Sequence, residues 1–382
     1  MSHLGLESIV RHAFWNSVKD SQWQSWVWQQ QNRIKSLSQL EKILELTPSE
    51  RLGVVKATQF RMAITPYYAS LIDPSDPACP IRRQCIPTDK ELNSQTYEVE
   101  DPLAEEAHMP VPGLTHRYPD RALLYVSHHC PVYCRHCTRK RKVSDPRTAP
   151  HPQSYEKAFE YLRKTPEIKD VLVSGGDPLS LSDVRLAEIF KTLRKIPHIE
   201  IIRLSTRNLV TLPQRVTENL IESLKPYQPI YVHTHFNHPK ECTLESKHAI
   251  DRFVNSGFVV NNQMVLLRGI NTDPEVVKRL NLTLLRMRIQ PYYMIHCDLA
   301  SGLSHFRASI DDGLRILKSL RGRVSGMAIP HYVVDLTPGG GKVALTPEAV
   351  LSRKGSAWRF KNYQDKVFDY HDPEFHDLGD GV

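Results

Sequence analysis

From about residue 120 the chain alternates short apolar runs with longer segments of helical periodicity. Of all the features of the sequence, this alternation limits the possible folds most. Strands that alternate with helices build βαβ units around a parallel sheet. The pattern predicts an α/β protein, either an open doubly wound sheet or a partial barrel, with functional residues at the carboxyl ends of the strands. The predicted strands are Ala122–Ser127, Asp170–Ser174, Ile199–Ser205, Ile230–Phe236, Phe258–Leu267 and Ile289–Cys297. The predicted helices are Tyr155–Arg163, Asp183–Arg194, Thr217–Leu224, Glu245–Val254 and Pro274–Arg288.

The part before these units has a different character. It holds four of the five tryptophans, which we expect to pack between helices. Two capping boxes predict helix starts, one from Ser38 to Glu41 and one from Thr47 to Glu50. An irregular linker is expected around residues 73–112, which are rich in proline and acidic residues. We therefore expect three parts: an N-terminal helical region with its linker (1–105), a barrel (106–340) and a C-terminal part (341–382).

Composition removes several classes of protein. The 382 residues are 40% hydrophobic and 24% charged, as in globular domains and unlike disordered chains. No apolar run approaches the ~20 residues of a membrane span, and the N-terminus has no apolar signal segment. Seven cysteines, an odd number, argue against a disulfide scaffold. We expect a cytoplasmic protein, and a net charge of +8 suits either anionic cofactors or nucleic acid.

Three of the cysteines form one CxxxCxxC motif directly after the first predicted strand: Cys130, Cys134 and Cys137. A structural zinc site needs four ligands, and His129, His136 or a distant cysteine could supply the fourth. Three closely spaced thiolates also suit three irons of a [4Fe–4S] cluster, whose fourth iron is then open to another ligand. The motif predicts a metal or iron–sulfur site at this strand end.

Two glycine-rich segments are further candidate sites. Gly175, Gly176 and Asp177 follow the second predicted strand, where paired glycines allow close approach to a ligand or form a tight turn. Near the other end, Pro338 begins the run PGGGK, which ends at Lys342 and lacks the spacing of a P-loop. A lysine on such a loop is either solvated or forms a Schiff base with pyridoxal phosphate.

The order of these motifs resembles the lysine 2,3-aminomutase family of the radical S-adenosylmethionine superfamily. The resemblance covers nearly the whole chain. It implies an isomerase with a partial (β/α)6 TIM-like barrel, an N-terminal helical region and a C-terminal extension. It also implies three cofactors, which are a [4Fe–4S] cluster, S-adenosylmethionine and pyridoxal 5′-phosphate. The matching runs include PGLTHRYPDR at 112–121, CRHCTR at 134–139, THFNHP at 234–239, NQMVLLRG at 262–269 and CDLASG at 297–302.

The resemblance also implies roles for cofactor-binding residues. The three cysteines of the motif would bind the cluster, and Lys342 would be the catalytic residue that binds pyridoxal phosphate covalently. Arg117 and Arg121 would bind the phosphate of that cofactor, a task for which guanidinium groups are well suited. The residues expected near S-adenosylmethionine are Gly175, Gly176, Asp177, His235 and Gln263.

Three residues would bind the substrate by the same resemblance. Arg139 would bind the carboxylate, and Asp298 and Asp335 would bind the ε-ammonium of lysine. Two carboxylates around one buried cation select lysine over uncharged or acidic amino acids, so we discount glutamate as the substrate. Arginine remains an alternative, since a guanidinium also pairs with carboxylates. The structural alternatives are that Asp298 caps a helix and that Asp335 caps the glycine turn.

The leading hypothesis is an L-lysine 2,3-aminomutase that produces β-lysine. One alternative keeps this reaction and concerns the pathway that uses the β-lysine. The product could serve elongation factor P modification, although the run CTRKR at 137–141 looks more like the branch that acts on free lysine. Two departures from the family are visible. The glycine loop has three glycines where relatives often have four, and no cysteine follows Cys297, which puts zinc-stabilised subunit assembly in doubt.

Partners follow from the same hypothesis. We expect a small amino-acid substrate, an electron donor such as flavodoxin or ferredoxin, and a homo-oligomer. A rival of another class is an iron–sulfur or zinc protein that binds nucleic acid through the basic run Arg139–Lys142. That rival leaves Asp298, Asp335 and the PGGGK loop unexplained, so we expect neither nucleic acid nor a membrane as a partner.

Overall fold

The computed structural model describes residues 5–57, 60–145, 147, 150, 152–354 and 356–371. The end of the predicted C-terminal part, residues 372–382, lies outside the described residues. No helix in these ranges is long and apolar enough to cross a membrane.

The N-terminal region consists of short helices joined by irregular segments. Its tryptophans pack as expected, with the ring centroids of Trp15, Trp23 and Trp28 spaced 6.1 Å apart in succession. Thr47 and Glu50 form the predicted capping box. The other predicted box is wrong, because Ser36 rather than Ser38 caps the next helix. The helices are α1 (Asp20–Trp23), α2 (Trp26–Gln31), α3 (Leu37–Leu40), α4 (Pro48–Lys56), α5 (Pro66–Ala69) and α6 (Pro80–Cys85).

One nine-stranded sheet forms the body of the protein. Its strands are β1 (Leu114–Tyr118), β2 (Arg121–Ser127), β3 (Asp170–Gly175), β4 (Ile201–Ser205), β5 (Ile230–Thr234), β6 (Val259–Leu266), β7 (Gln290–His296), β8 (His331–Leu336) and β9 (Gly341–Ala344). They are neighbours in chain order. Strands β2 to β8 run parallel, whereas β1 and β9 pair antiparallel at the edges. The predicted α/β class and partial TIM-like barrel are confirmed.

Helices connect the parallel strands and bury one face against them. In α8, for example, Leu186, Ile189, Phe190 and Leu193 are all buried. Serine, threonine or aspartate side chains cap most of the helix starts, which satisfies backbone N–H groups that lack helical partners. The helices are α7 (Pro152–Lys164), α8 (Asp183–Arg194), α9 (Asn208–Thr211), α10 (Glu218–Leu224), α11 (Leu244–Asn255), α12 (Pro274–Arg286) and α13 (Ile310–Leu320).

The barrel has one parallel strand more than the six predicted. Strand β8 follows α13 and pairs with β7 through Tyr293↔His331 and Ile295↔Val333. Its sequence, HYVVDL, has only a short apolar centre between a histidine and an aspartate. This apolar centre is too short to predict a strand from the sequence. Asp335, which lies on the strand, is nevertheless one of the candidate substrate-binding residues.

The C-terminal extension begins as a hairpin on the barrel. Strand β9 pairs with β8, and this register sets Asp335 opposite Lys342. A separate three-stranded antiparallel sheet follows, made of β10 (Val350–Lys354), β11 (Ala357–Lys361) and β12 (Val367–His371). The expected boundary at residues 340 and 341 falls inside the β8–β9 hairpin, and the division into three parts stays a proposal.

The N-terminal region packs on the loops that follow the barrel strands. Tyr133 N donates to Ala63 O at 3.1 Å, and Arg135 N donates to Gln84 O at 2.8 Å. Farther along, Val99 N donates to Leu299 O at 2.9 Å in the loop after β7. These contacts cover one end of the barrel, the end where the strands have their carboxyl termini.

A buried ion pair fixes the capping box of α4 to α6. Arg82 and Glu50 are 1% and 5% exposed, and two N–H groups of Arg82 donate to the two carboxylate oxygens of Glu50 at 2.7 Å. Burial alone raises the pKa of Glu50, but the hydrogen bonds and charge of Arg82, together with the hydrogen bonds from Thr47, outweigh burial and hold the pKa below its usual value. The pair is therefore charged at neutral pH.

Replacing Glu50 by Gln should destabilise the protein strongly, because Arg82 keeps a buried charge without a partner. We expect a loss of about 3–5 kcal/mol in the free energy of unfolding, measured by urea titration. Glu41→Gln is the matched control, since Glu41 pairs with Arg51 at the surface, where exposed pairs contribute about 0–1 kcal/mol. Equal effects of the two substitutions would contradict this account.

Candidate active site

Most of the residues singled out in the sequence gather around the carboxyl end of the barrel. Loops supply most of them, whereas Gln263 lies within β6 and Arg121 is the first residue of β2, at the other end of that strand. Parallel strands bring the loops that follow them to one edge, so residues far apart in sequence become neighbours. The loop after β2 carries Cys130, Cys134 and Cys137; later loops carry Gly176, Asp177, His235 and Asp298.

The three cysteines of the motif lie close enough to affect one another. Loss of hydration raises the pKa of the Cys130 thiol well above its usual value, and Asp177 and the other two thiols raise it further. Burial and Cys134 raise the pKa of Cys137 to about 11. Over the described ranges, no group of three or more His, Cys, Asp or Glu side chains is arranged as a complete metal site. Three sulfur donors in one loop nevertheless fit a thiolate-bound cluster, whose positive irons would offset this mutual repulsion.

Arg207, which the sequence analysis missed, lies against the cysteine loop. It follows β4, and its Nη1 atom donates to Cys134 Sγ at 2.6 Å. Its Nη2 atom donates to Glu241 at 2.7 Å and to Gln84 at 2.6 Å, both fully buried. A single arginine in the run STRN carries no motif, and only its distant partners reveal its position.

The glycine pair after β3 is required by the same loop. A Cβ atom on Gly176 would lie 2.6 Å from His129 O, and Gly175 has a φ of +119° that side chains rarely adopt. The Asp177 carboxylate accepts hydrogen bonds from Leu179 N, Thr206 Oγ1 and Arg207 N at 2.7–3.0 Å. This motif therefore packs β3 and β4 against the cysteine loop, and the carboxylate of Asp177 is engaged by protein groups.

Asp298 and Asp335 come together as an acidic pair. Burial raises the pKa of Asp298 to about 6; a hydrogen bond from Thr138 lowers it and the Asp335 charge raises it, while Lys342 and Arg139 lower it. Thr138 Oγ1 donates to Asp298 Oδ2 at 2.5 Å. The other oxygen, Oδ1, is buried and has no hydrogen-bond partner among the described residues. An unpartnered buried carboxylate oxygen is the acceptor that a cationic ligand needs.

Lys342 projects from β9 onto Asp335. Its Nζ atom lies 2.5 Å from Asp335 Oδ2, and Arg117 Nη2 donates to Asp335 Oδ1 at 3.1 Å. Tyr118 Oη accepts the backbone N–H of Lys342 at 2.9 Å. The guanidinium groups of Arg117 and Arg121 lie 4.9 and 4.7 Å from the ring of Tyr118. The Lys342 backbone and two guanidinium groups thus lie around one tyrosine, and the two guanidinium groups fit the phosphate of a cofactor.

The basic run after the cysteines is neutralised rather than exposed. Arg139 pairs with Glu105 at 2.8 Å, Arg141 pairs with Asp101 at 2.9 Å, and Lys142 pairs with Glu106 at 3.2 Å. These three cationic side chains are 11–22% exposed. Three of the four cations of the run therefore face neighbouring carboxylates, which argues against the open basic surface that nucleic acid requires.

His235 lies just after β5, and Gln263 lies within the neighbouring strand β6. Burial, with help from the Arg207 charge, lowers the pKa of His235 to about 4, so the ring is neutral at neutral pH. The side-chain amide of Gln263 lies 3.0 Å from His233 Nδ1. Both are polar groups at the mouth of the barrel.

Comparisons with known proteins agree with this arrangement. A family model described as Lysine-2,3-aminomutase matches residues 317–380, and one described as Radical SAM superfamily matches residues 124–280. The chain is 47% identical to an L-lysine 2,3-aminomutase of Fusobacterium nucleatum over 96% of this chain and 86% of the relative. It is 45% identical to that of Clostridium subterminale over 95% and 88%. A glutamate 2,3-aminomutase of Clostridioides difficile is 43% identical over 92% and 84%.

The titration of Asp298 should be visible in the stability of the protein. Its folded pKa of about 6 lies above the ordinary 3.8, so the folded state holds the proton longer, and stability falls as pH rises through about 6. Relative to Asp298→Asn, the wild type should lose roughly 1–2 kcal/mol of unfolding free energy between pH 5 and pH 8. Urea titrations at both pH values measure this difference, and a difference independent of pH would contradict the burial of this charge.

Proposed function

The chain belongs to the lysine 2,3-aminomutase family and is an isomerase of the radical SAM superfamily, and from this premise we propose that it converts L-lysine to β-lysine. The α-amino group of the substrate moves to the neighbouring β-carbon. The proposed cofactors are a [4Fe–4S] cluster, S-adenosylmethionine and pyridoxal 5′-phosphate.

One observation carries the choice of lysine. Asp298 Oδ1 is buried without a hydrogen-bond partner in the described part of the chain and lies in the field of Asp335, while the cations Arg139 and Lys342 lie near the same carboxylate. A ligand with an ammonium at one end and a carboxylate at the other matches this division of charge. The substrate ammonium would bind Asp298 directly and compete with Lys342 Nζ for Asp335.

The cofactors supply the chemistry, and the chain supplies their binding sites. When bound, the cluster and S-adenosylmethionine supply a carbon radical that removes a hydrogen atom, and pyridoxal phosphate binds the amino group that migrates. Cys130, Cys134 and Cys137 would hold the cluster, with Arg207 beside Cys134. Lys342 would bind pyridoxal phosphate, and Arg117 and Arg121 its phosphate.

The other residues position the substrate and shield it. We propose that Arg139 binds the α-carboxylate, so that the substrate is held at both ends and its β-carbon stays in one place. His235 and Gln263 would contact S-adenosylmethionine at the mouth of the barrel. The N-terminal region packs on the strand-end loops, which supports a role in excluding water from a reactive radical.

Substrate choice separates this proposal from its alternatives. A glutamate side chain would place a third carboxylate beside Asp298 and Asp335, at a cost in repulsion and burial. An arginine guanidinium could pair with both aspartates but is larger than an ammonium. The basic run gives little support to the nucleic-acid alternative, since three of its four cations have carboxylate partners.

The proposal includes an electron donor such as flavodoxin or ferredoxin, a homo-oligomeric assembly and a cytoplasmic location. All seven cysteines are free thiols in the structure, which suits a reducing compartment. Use of the product, in elongation factor P modification or in another pathway, is a separate question that adjacent genes would address.

An anaerobic turnover assay tests the proposal. Protein reconstituted with iron, sulfide and pyridoxal phosphate receives S-adenosylmethionine, a reductant and L-lysine, and the amino acids are separated by chromatography. We expect β-lysine to appear, and L-glutamate in place of L-lysine to give no product. Cleavage of S-adenosylmethionine without β-lysine would retain the radical chemistry and overturn the substrate, in which case L-arginine is the next compound to assay.

A further inference from the structure

Glu105 is a buried acid beside the proposed substrate site. It lies in the segment before β1 and is 3% exposed. Its Oε1 atom accepts a hydrogen bond from Arg139 Nε at 2.8 Å and forms an ion pair with Arg139 Nη2 at the same distance. No motif marks it in the sequence, because a glutamate in an acidic linker is normally solvated.

Glu105 is held on its other sides as well. Its Oε2 atom accepts from Arg141 Nη2 at 3.2 Å, and its backbone carbonyl accepts from Thr115 Oγ1 at 3.2 Å. Burial alone would raise the pKa of Glu105, but the charge and hydrogen bond of Arg139, together with Tyr125 and Arg141, outweigh burial and hold the pKa at about 2. Glu105 is thus a fixed anion at neutral pH rather than a group that swings in and out of the site.

The contacts of Glu105 leave one end of Arg139 available. A guanidinium donates from two edges, and Glu105 takes the Nε edge. The Cζ atom of Arg139 lies 5.5 Å from the ring centroid of Tyr125. In the part of the chain that the structure describes, no contact is recorded for Nη1. The next residue back, Thr138, binds Asp298, which ties the backbone of Arg139 to the acidic pair.

We propose that Glu105 is the positioning residue for Arg139. By fixing the Nε edge, Glu105 and Tyr125 aim the Nη1–Nη2 end of the guanidinium at the α-carboxylate of the substrate. Separate pairs of residues then act at the two ends of the substrate. Arg139, positioned by Glu105, binds the carboxylate, and Asp298 and Asp335 bind the ammonium. This inference rests on the proposed function, because it needs an amino-acid substrate at Arg139.

If Glu105 positions Arg139, replacing Glu105 should weaken binding only of ligands that carry an α-carboxylate. In Glu105→Gln the shape of the side chain is kept, but the charge that orients Arg139 is gone. Binding of L-lysine should weaken at least about ten-fold, as expected for the loss of a charge-assisted hydrogen bond. Binding of L-lysinamide, which has no carboxylate, should change less than about two-fold.

The experiment is an equilibrium titration of the protein loaded with pyridoxal phosphate. L-Lysine or L-lysinamide is added, the change in visible absorbance gives the Kd, and a melting curve checks the fold of each variant. Glu106→Gln is the matched control: it removes the same charge one residue along, where the carboxylate is 61% exposed and contacts Arg141 and Lys142. Its Kd values should stay within about two-fold of the wild type.

Each outcome decides between the alternatives. Equal weakening for both compounds in Glu105→Gln would show a merely structural ion pair and overturn the inference, as would an unchanged Kd for L-lysine. If Glu105→Gln does not fold, Glu105→Asp provides the same comparison, because it keeps the charge and withdraws it from Arg139. A wild-type protein whose spectrum responds to neither compound would overturn the proposed function itself, which distinguishes the two failures.

Discussion

The need to neutralise buried charge governs the carboxyl end of this barrel. Asp298, Asp335, Glu105 and Glu241 all lose hydration there, and each faces a cation from another part of the chain: Arg139, Lys342, Arg117 or Arg207. Such pairs cost desolvation and are weak sources of stability, so their concentration at one edge points to function rather than to folding. Among the described residues, Asp298 Oδ1 is a buried carboxylate oxygen without a hydrogen-bond partner, and we propose that a further cation binds there.

Much of the fold could be predicted from the sequence, because periodicity and capping are local signals. Six apolar runs correspond to strands β2 to β7, and the box at Thr47 and Glu50 starts α4. The same local signals placed one helix cap wrongly and missed one strand. Ser36 competed with Ser38 as a helix cap, and β8 has too short an apolar centre to stand out beside Asp335. The glycines at 175 and 176 predict either close approach of a ligand or a tight turn. Their backbone lies against the loop that leads into the cysteine motif, and contact with S-adenosylmethionine stays a prediction.

In the candidate site, too, local motifs predict some residues and miss others. Motifs with fixed spacing pointed to the cysteines and to Lys342, and the barrel brings the aspartates beside that lysine. Arg207 and Glu105 were out of reach, since one is a lone arginine and the other lies in an acidic linker. Their positions depend on partners tens to more than a hundred residues away, such as Cys134 for Arg207. Burial of a charged side chain is a property of the whole fold, which a single sequence does not display.

We propose that the acidic pair at Asp298 and Asp335 binds the substrate ammonium beside Lys342. An anaerobic crystal structure of the reconstituted protein with L-lysine tests it most directly. We predict that the substrate ε-ammonium lies within hydrogen-bond distance of Asp298 Oδ1 and of Asp335, and that Lys342 Nζ has left Asp335. Lysine bound with its ammonium away from both aspartates, or Lys342 still paired with Asp335, would contradict the claim.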